Sequence, residues 1–288
     1  MSGVVLVLSG GGARAMAHLG VLEVLEQARV PIDRIIGVSA GAVAGALYGR
    51  YGSARGAQEE LSKFLATCDA VPTMSRIARV QRNRHGLGSW IKRLLGYWRL
   101  VRRPGIVEGR HLLRTVQGLV GEITFEELRT PLSIVVTDLI TGREVVLGHG
   151  PVLPVLAGTC ALPGIFEPIR SGEYLLVDSG DVNPLPVNVA RRYRPQFTMA
   201  SDVCRGKMPL PPRLNGVEVQ ARARDAAALV LRAAHERLAD FVFHPRVLRR
   251  DWTDFADPEE AYQAGRAAAN RKLDRLLAGL QWKEIVSR

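Results

Sequence analysis

Apolar residues recur along this chain in two patterns. Short continuous runs, bounded by glycine, proline or polar turns, occur at Val4–Leu8, Ile35–Val38, Leu132–Thr137, Glu144–Leu147, Tyr174–Val177 and Phe197–Ala200. Runs of that length with those flanks predict buried strands. Between them the apolar positions return at helical spacing, as in "VLEVLEQA" after Gly20. The alternation predicts an α/β fold, a largely parallel sheet with helices on both faces. "DPEEAYQAGRAAANRKLDRLLAGL" reads as a closing helix, with Asp257 as its cap and Pro258 in its first position. No linker or repeat divides the chain. The expectation is therefore one domain over 1–288: a motif-bearing core over about 4–205, a basic cap over about 72–115 and a helical region over about 220–280.

Two glycine motifs interrupt this pattern where a strand gives way to a helix. The first, "SGGGARAMAHLG", follows Val4–Leu8. Three successive glycines cost backbone entropy, and a row of backbone N–H groups at a helix start is suited to hold a negative charge. Gly10 to Ala15 fits the pattern of a dinucleotide-binding turn. That reading requires an acid at the end of the second strand, and the only nearby candidate, Asp33, precedes that strand. The second strand ends instead in Gly37-Val38-Ser39-Ala40-Gly41, the form of a nucleophile elbow, whose glycines let a sharp turn expose the serine hydroxyl. A serine attacking an ester generates an oxyanion, and a backbone donor aimed at it contributes on the order of 3 kcal/mol. The two motifs thus read as halves of one hydrolytic site.

The serine needs a base. Ser39 comes after only two apolar runs, too early for the α/β-hydrolase order of serine, acid and histidine. His85, His111, His149, His235 and His244 read as surface or packing residues. Asp178 ends the run Tyr174–Val177, where Ser-Gly and Asn-Pro break the chain. An aspartate can act directly as base if burial raises its pKa. Asp138 ends another strand and is the rival, although Thr141-Gly142 marks it as the entry to a hairpin.

Gly10-Gly11-Gly12-x-Arg14, Gly37-x-Ser39-x-Gly41 and Asp178-x-Gly180, in that order, resemble the patatin-like phospholipases. "AHLGVLEVLE", "TDLITGREVV", "ALPGIFEPI", "VNPLPV" and "DPEEAYQAGRAA" extend the resemblance to about Ala269. It implies a metal-independent serine–aspartate hydrolase of lipid acyl esters that needs no cofactor. Ser39 would be its nucleophile, Asp178 its base, Gly10, Gly11, Gly12 and Arg14 its oxyanion hole, and Gly37 and Gly41 the elbow glycines. Two positions depart from the family pattern, where glycine is usual at Ala15 and at Ser179. A Cβ there is expected to restrict a left-handed backbone or crowd the dyad. The competing reading is a catalytically weak relative that binds anionic lipid or a protein partner.

Charge adds a second theme. The 288 residues carry +11, and Pro72–Thr115 holds eleven lysines and arginines against a single acid, Glu108, almost the whole imbalance. Within it Ile91, Leu94, Leu95, Trp98 and Val101 recur at helical spacing, flanked by Trp90 and Tyr97. Such a helix either packs on the core with a solvated basic back or lies in an anionic membrane surface. Nucleic acid is not expected, since no nucleic-acid module accompanies the patch. Cys68, Cys160 and Cys204 form no metal-binding spacing and read as buried small hydrophobes in a reducing compartment. The apolar run at the N-terminus is too short for a secretion signal, so the expectation is a cytoplasmic protein, peripheral at the inner face of the membrane.

Overall fold

The computed structural model describes residues 3–68, 102–204, 216–247, 253–255 and 257–286. Its strands are β1 (Val4–Leu8), β2 (Arg34–Val38), β3 (Gly105–Val107), β4 (Leu132–Asp138), β5 (Arg143–Leu147), β6 (Gly164–Phe166), β7 (Ile169–Ser171), β8 (Tyr174–Val177), β9 (Phe197–Ser201) and β10 (Phe241–Phe243). The described helices are α1 (Met16–Gln27), α2 (Ala40–Tyr51), α3 (Ala54–Thr67), α4 (Gly109–Val120), α5 (Val152–Cys160), α6 (Val187–Ala190), α7 (Gly216–Glu236), α8 (Pro258–Asn270) and α9 (Leu273–Val286).

The main sheet runs β10-β9-β1-β2-β4-β8-β7, with β5 also paired to β4. The five strands from β10 to β4 are mutually parallel, and β5, β7 and β8 join antiparallel. All five residues of β1 are buried. Their alternation divides them between two cores: Val4, Leu6 and Leu8 pack with α1, α2 and α8, whereas Val5 and Val7 pack against Leu185, Val187 and Val189. This two-sided burial is what a continuous apolar strand requires. The expected α/β fold, largely parallel and covered on both faces, is the observed one.

The six expected strands form within a residue or two of their expected limits. The expected closing helix instead breaks at Arg271-Lys272 into α8 and α9, where Lys272 Nζ donates to Val242 O at 2.7 Å. Asp257 caps α8 by accepting from Glu260 N, with Pro258 in the first turn. The region expected to be helical also contributes β10, on the far edge of the sheet. Of the expected basic cap, only the end falls among the described residues: β3, parallel to β6, and α4, which buries Leu112, Val116 and Val120. Trp90, Trp98 and the amphipathic stretch around them lie outside the described residues.

Candidate active site

The strand register brings Ser39 and Asp178 together. One edge of β4 pairs with β5 over Ile134 to Asp138. The other edge is shared: β2 takes its first part, ending at Val38↔Val135, and β8 takes its last part, beginning at Val177↔Thr137. Because β8 is antiparallel to β4, β2 and β8 run end to end toward one another, and the residues that follow them, Ser39 and Asp178, occupy the gap. The end of α5 fills it from behind. Thr159 Oγ1 accepts from Ser39 N at 2.8 Å and donates to Val135 O at 2.8 Å, while Ala161 O accepts from Asp178 N at 3.0 Å.

Ser39 has φ 52° and ψ −130°, a left-handed backbone that a non-glycine residue adopts at a cost of order 1–3 kcal/mol. Its flanking glycines permit close approach. A Cβ on Gly37 would lie 2.6 Å from Ala42 Cα, and one on Gly41 would overlap the carbonyl of Ser9. Asp178 is buried, with Oδ1 accepting from Gly180 N at 2.7 Å and the Ser39 hydroxyl beside the carboxyl. Burial pushes its pKa up to about 7, outweighing the Ser39 hydroxyl and the Gly180 N–H that favour the anion.

The glycine loop closes the third side. A Cβ on Gly10 would meet Ser39 Cβ at 3.4 Å. Gly10 N donates to Pro184 O at 3.3 Å, so this N–H is committed within the protein. The N–H groups of Gly11 and Gly12 have no protein acceptor among the described residues, and Gly12 has φ 58°. Arg14 is buried and reaches Cys204 Sγ with Nη1 at 3.9 Å. The two departures from glycine prove harmless to the backbone. Ala15 is right-handed at φ −65°, Ser179 is not left-handed, and the buried Ser179 hydroxyl is taken up by Thr137 Oγ1 at 3.0 Å.

Asp138, the rival base, is consumed by its hairpin. It accepts from Leu175 N, Ile140 N, Thr141 N and Thr141 Oγ1, and the Leu175 N–H foremost holds its carboxyl below the usual range. His235 bonds Asn183 and His244 bonds Glu236; His111 and His149 are exposed; His85 lies outside the described residues. Asp202, Glu236 and His244 bring ligand atoms within 4.8 Å of one another, a candidate cation cluster. There Asp202 already takes Arg232 and Cys204 N, and His244 Nε2 lies 3.0 Å from Glu236.

Ser39, Asp178 and the loop open into a cavity of about 1260 Å³. Leu61, Phe64 and Leu65 of α3 and Leu112, Val116 and Leu119 of α4 form an apolar wall. A family profile described as patatin-like phospholipase matches residues 6–191. The chain belongs to the patatin-like phospholipase family.

Among relatives, an uncharacterized NTE family protein of Mycobacterium bovis is 29% identical over 292 residues, covering 93% of this chain and 46% of its own length. Neuropathy target esterase sws of Drosophila melanogaster is 28% identical over 202 residues, 69% of this chain and 13% of that protein. The chain thus spans less than half the length of these relatives. Of solved structures, VipD from Legionella pneumophila matches 95% of this chain and 67% of its own with a TM-score of 0.50 at 14% identity, a likeness of fold.

The family motifs account for one end of the cavity; the sequence carried no signal for the rest. Arg222, Asp225 and Arg232 of α7 and His111 of α4 also line it, placed there only by tertiary packing. The three cysteines correct the expectation of buried small hydrophobes. Each is half-buried, and all three line this cavity. His18, at the end of the first glycine motif, is fully buried, with Nε2 2.9 Å from Ser9 O and Nδ1 2.9 Å from Ser201 Oγ.

Proposed function

We propose that this protein hydrolyses the acyl esters of lipids through Ser39 and Asp178. The observation that carries the reading is a serine held in a left-handed turn beside a buried carboxyl whose pKa is pushed up to about 7, at the end of an apolar cavity. Ionised Asp178 takes the hydroxyl proton as Ser39 Oγ attacks the ester carbonyl. The free N–H groups of the glycine loop face the developing oxyanion. Asp178 then returns the proton to the leaving alcohol, and water, activated by the same carboxylate, releases the acyl group from Ser39. The acyl chain lies along the wall formed by α3 and α4. Such a route uses only groups of this chain and calls on no metal.

The family pairing with lipid substrates and the concentration of positive charge in Pro72–Thr115 support work at an anionic membrane surface, on the cytoplasmic side. The attachment proposed is peripheral, through that basic stretch; among the described residues no helix is long and apolar enough to cross a membrane.

The test is hydrolysis of medium- and long-chain p-nitrophenyl esters and of phospholipid by purified protein. Ser39→Ala and Asp178→Asn are each expected to lower kcat by about 10³-fold or more with the fold retained, since the two act as one unit. A fluorophosphonate should label Ser39 alone. Near-wild-type turnover by Asp178→Asn would dismiss the dyad.

A further inference from the structure

The glycine loop is held in place by side chains that the hydrolytic reading gives no role: Ser9, His18 and Cys204. Two successive peptide groups are involved. In a planar trans peptide the C=O and the next residue's N–H point in opposite directions, so fixing one aims the other. The Ser9–Gly10 peptide is fixed at both ends: Ser9 O lies 2.9 Å from His18 Nε2, and Gly10 N donates to Pro184 O. The Gly10–Gly11 peptide is fixed at its carbonyl only. Gly10 O accepts from Ser9 Oγ at 3.0 Å and from Cys204 Sγ at 3.2 Å. Its other end, the Gly11 N–H, has no protein acceptor among the described residues.

We infer that Ser9 and Cys204 are positioning residues for the oxyanion loop: by holding the Gly10 carbonyl they turn the Gly11 N–H toward the oxygen that becomes charged in hydrolysis. This rests on the hydrolase reading of Ser39 and Asp178. Both donors are themselves fixed. Ser9 Oγ accepts from Val203 N at 3.1 Å, which directs its hydrogen to Gly10 O. Cys204 N donates to Asp202 Oδ1 at 3.0 Å, and Arg14 Nη1 points at Cys204 Sγ, leaving the S–H for the carbonyl. Burial pushes the Cys204 thiol up, so it keeps the proton it donates. The contact is close on the loop side as well: a Cβ on Gly11 would sit 3.3 Å from Cys204 Sγ.

A thiol is a weak donor, and the loss of a whole oxyanion donor costs about 10²–10³-fold in kcat. Loss of its orientation should cost a fraction of that. The test compares wild type, Cys204→Ala, Cys204→Ser and Ser9→Ala on one p-nitrophenyl ester. Cys204→Ala is expected to lower kcat about 10-fold, with KM within about twofold, because the contact matters chiefly in the transition state. An alkyl trifluoromethyl ketone, which adds to Ser39 as a tetrahedral oxyanion, should bind more weakly by the same factor, while a long-chain alcohol binds unchanged. Cys204→Ser, which keeps a donor, should recover at least half of the lost kcat. Ser9→Ala should reproduce the loss if it folds. Wild-type kcat in Cys204→Ala, a loss confined to KM, or no recovery in Cys204→Ser overturns the inference. Wild-type protein that neither turns over ester nor labels at Ser39 overturns the hydrolase reading instead.

Discussion

At the scale of single residues, Asp178 and His18 are buried ionisable groups displaced in opposite directions. Burial pushes Asp178 up to about 7 and His18 down to about 4. For Asp178 the native state holds a proton that the unfolded chain has released, so its contribution to stability falls as pH rises from about 4 to about 7. For His18 the unfolded chain holds the extra proton, so its contribution falls as pH drops from about 6.5 to about 4. The two slopes oppose each other over nearly the same window. Asp178→Asn should therefore match the wild type in thermal midpoint near pH 4 and exceed it increasingly up to pH 7, by about 2–4 °C for each kcal/mol of linkage. In that variant the His18 slope is exposed, and its midpoint should drop on acidification from pH 6.5 to pH 4. A constant gap at all pH values would show that Asp178 is ionised in the native state throughout. Wild-type kcat/KM should rise with pH to a plateau above about 7, as the base ionises. Ser39 and Asp178 were legible in the sequence because an elbow and a strand-end turn each write their needs into a few adjacent residues. Cys204 was not. Its role depends on the carbonyl of Gly10, which only the pairing of β1 with β9 brings near.

At the scale of elements, α1 and α8 cross where their backbones almost touch. A Cβ on Gly20 would overlap Tyr262 O, and one on Gly265 would overlap Ala17 O. Both obstacles are main-chain atoms, which cannot rotate aside. Gly20→Ala should cost about 3 kcal/mol or more, read as a midpoint lowered by about 6 °C or more. Gly216→Ala, with nothing within 4 Å of its Cβ, serves as the control and should stay within about 0.5 kcal/mol. Equal midpoints for the two would mean that the helices can separate without loss. The sequence displayed α8 through its cap and apolar spacing but not this crossing, because "HLG" and "QAG" look alike whether or not a helix lies against them. Four strands escaped notice for a different reason. β3, β6, β7 and β10 have three residues each, too few for an alternation to register. They exist because a neighbouring edge supplies their hydrogen bonds. The break between α8 and α9 is equally a product of tertiary contact, Lys272 with Val242, in a stretch whose composition reads as one helix.

At the scale of the whole molecule, the proposed attachment to a membrane is a matter of charge. Each basic residue that reaches an anionic bilayer contributes about 1 kcal/mol, and the Debye length shrinks from about 10 Å at 0.1 M to about 3 Å at 1 M ionic strength. Ser39→Ala protein should co-sediment with anionic vesicles at low salt, release at high salt and ignore zwitterionic vesicles. Changing Lys92, Arg93, Arg99, Arg102 and Arg103 to Gln should abolish the difference; equal sedimentation of both proteins would leave the segment a solvated helix face. The order of the sheet has a consequence for the making of the protein. The central strand β1 is synthesised long before β9, so one of its edges waits for that strand. Until Ser201 has left the ribosome, five apolar residues offer an open hydrogen-bonding edge, a template for pairing with other chains. The same late strand carries Asp202 and Cys204 into place against the glycine loop. The nascent chain therefore exposes that edge before its site is complete, and the segment that closes the edge is the one that completes the proposed site.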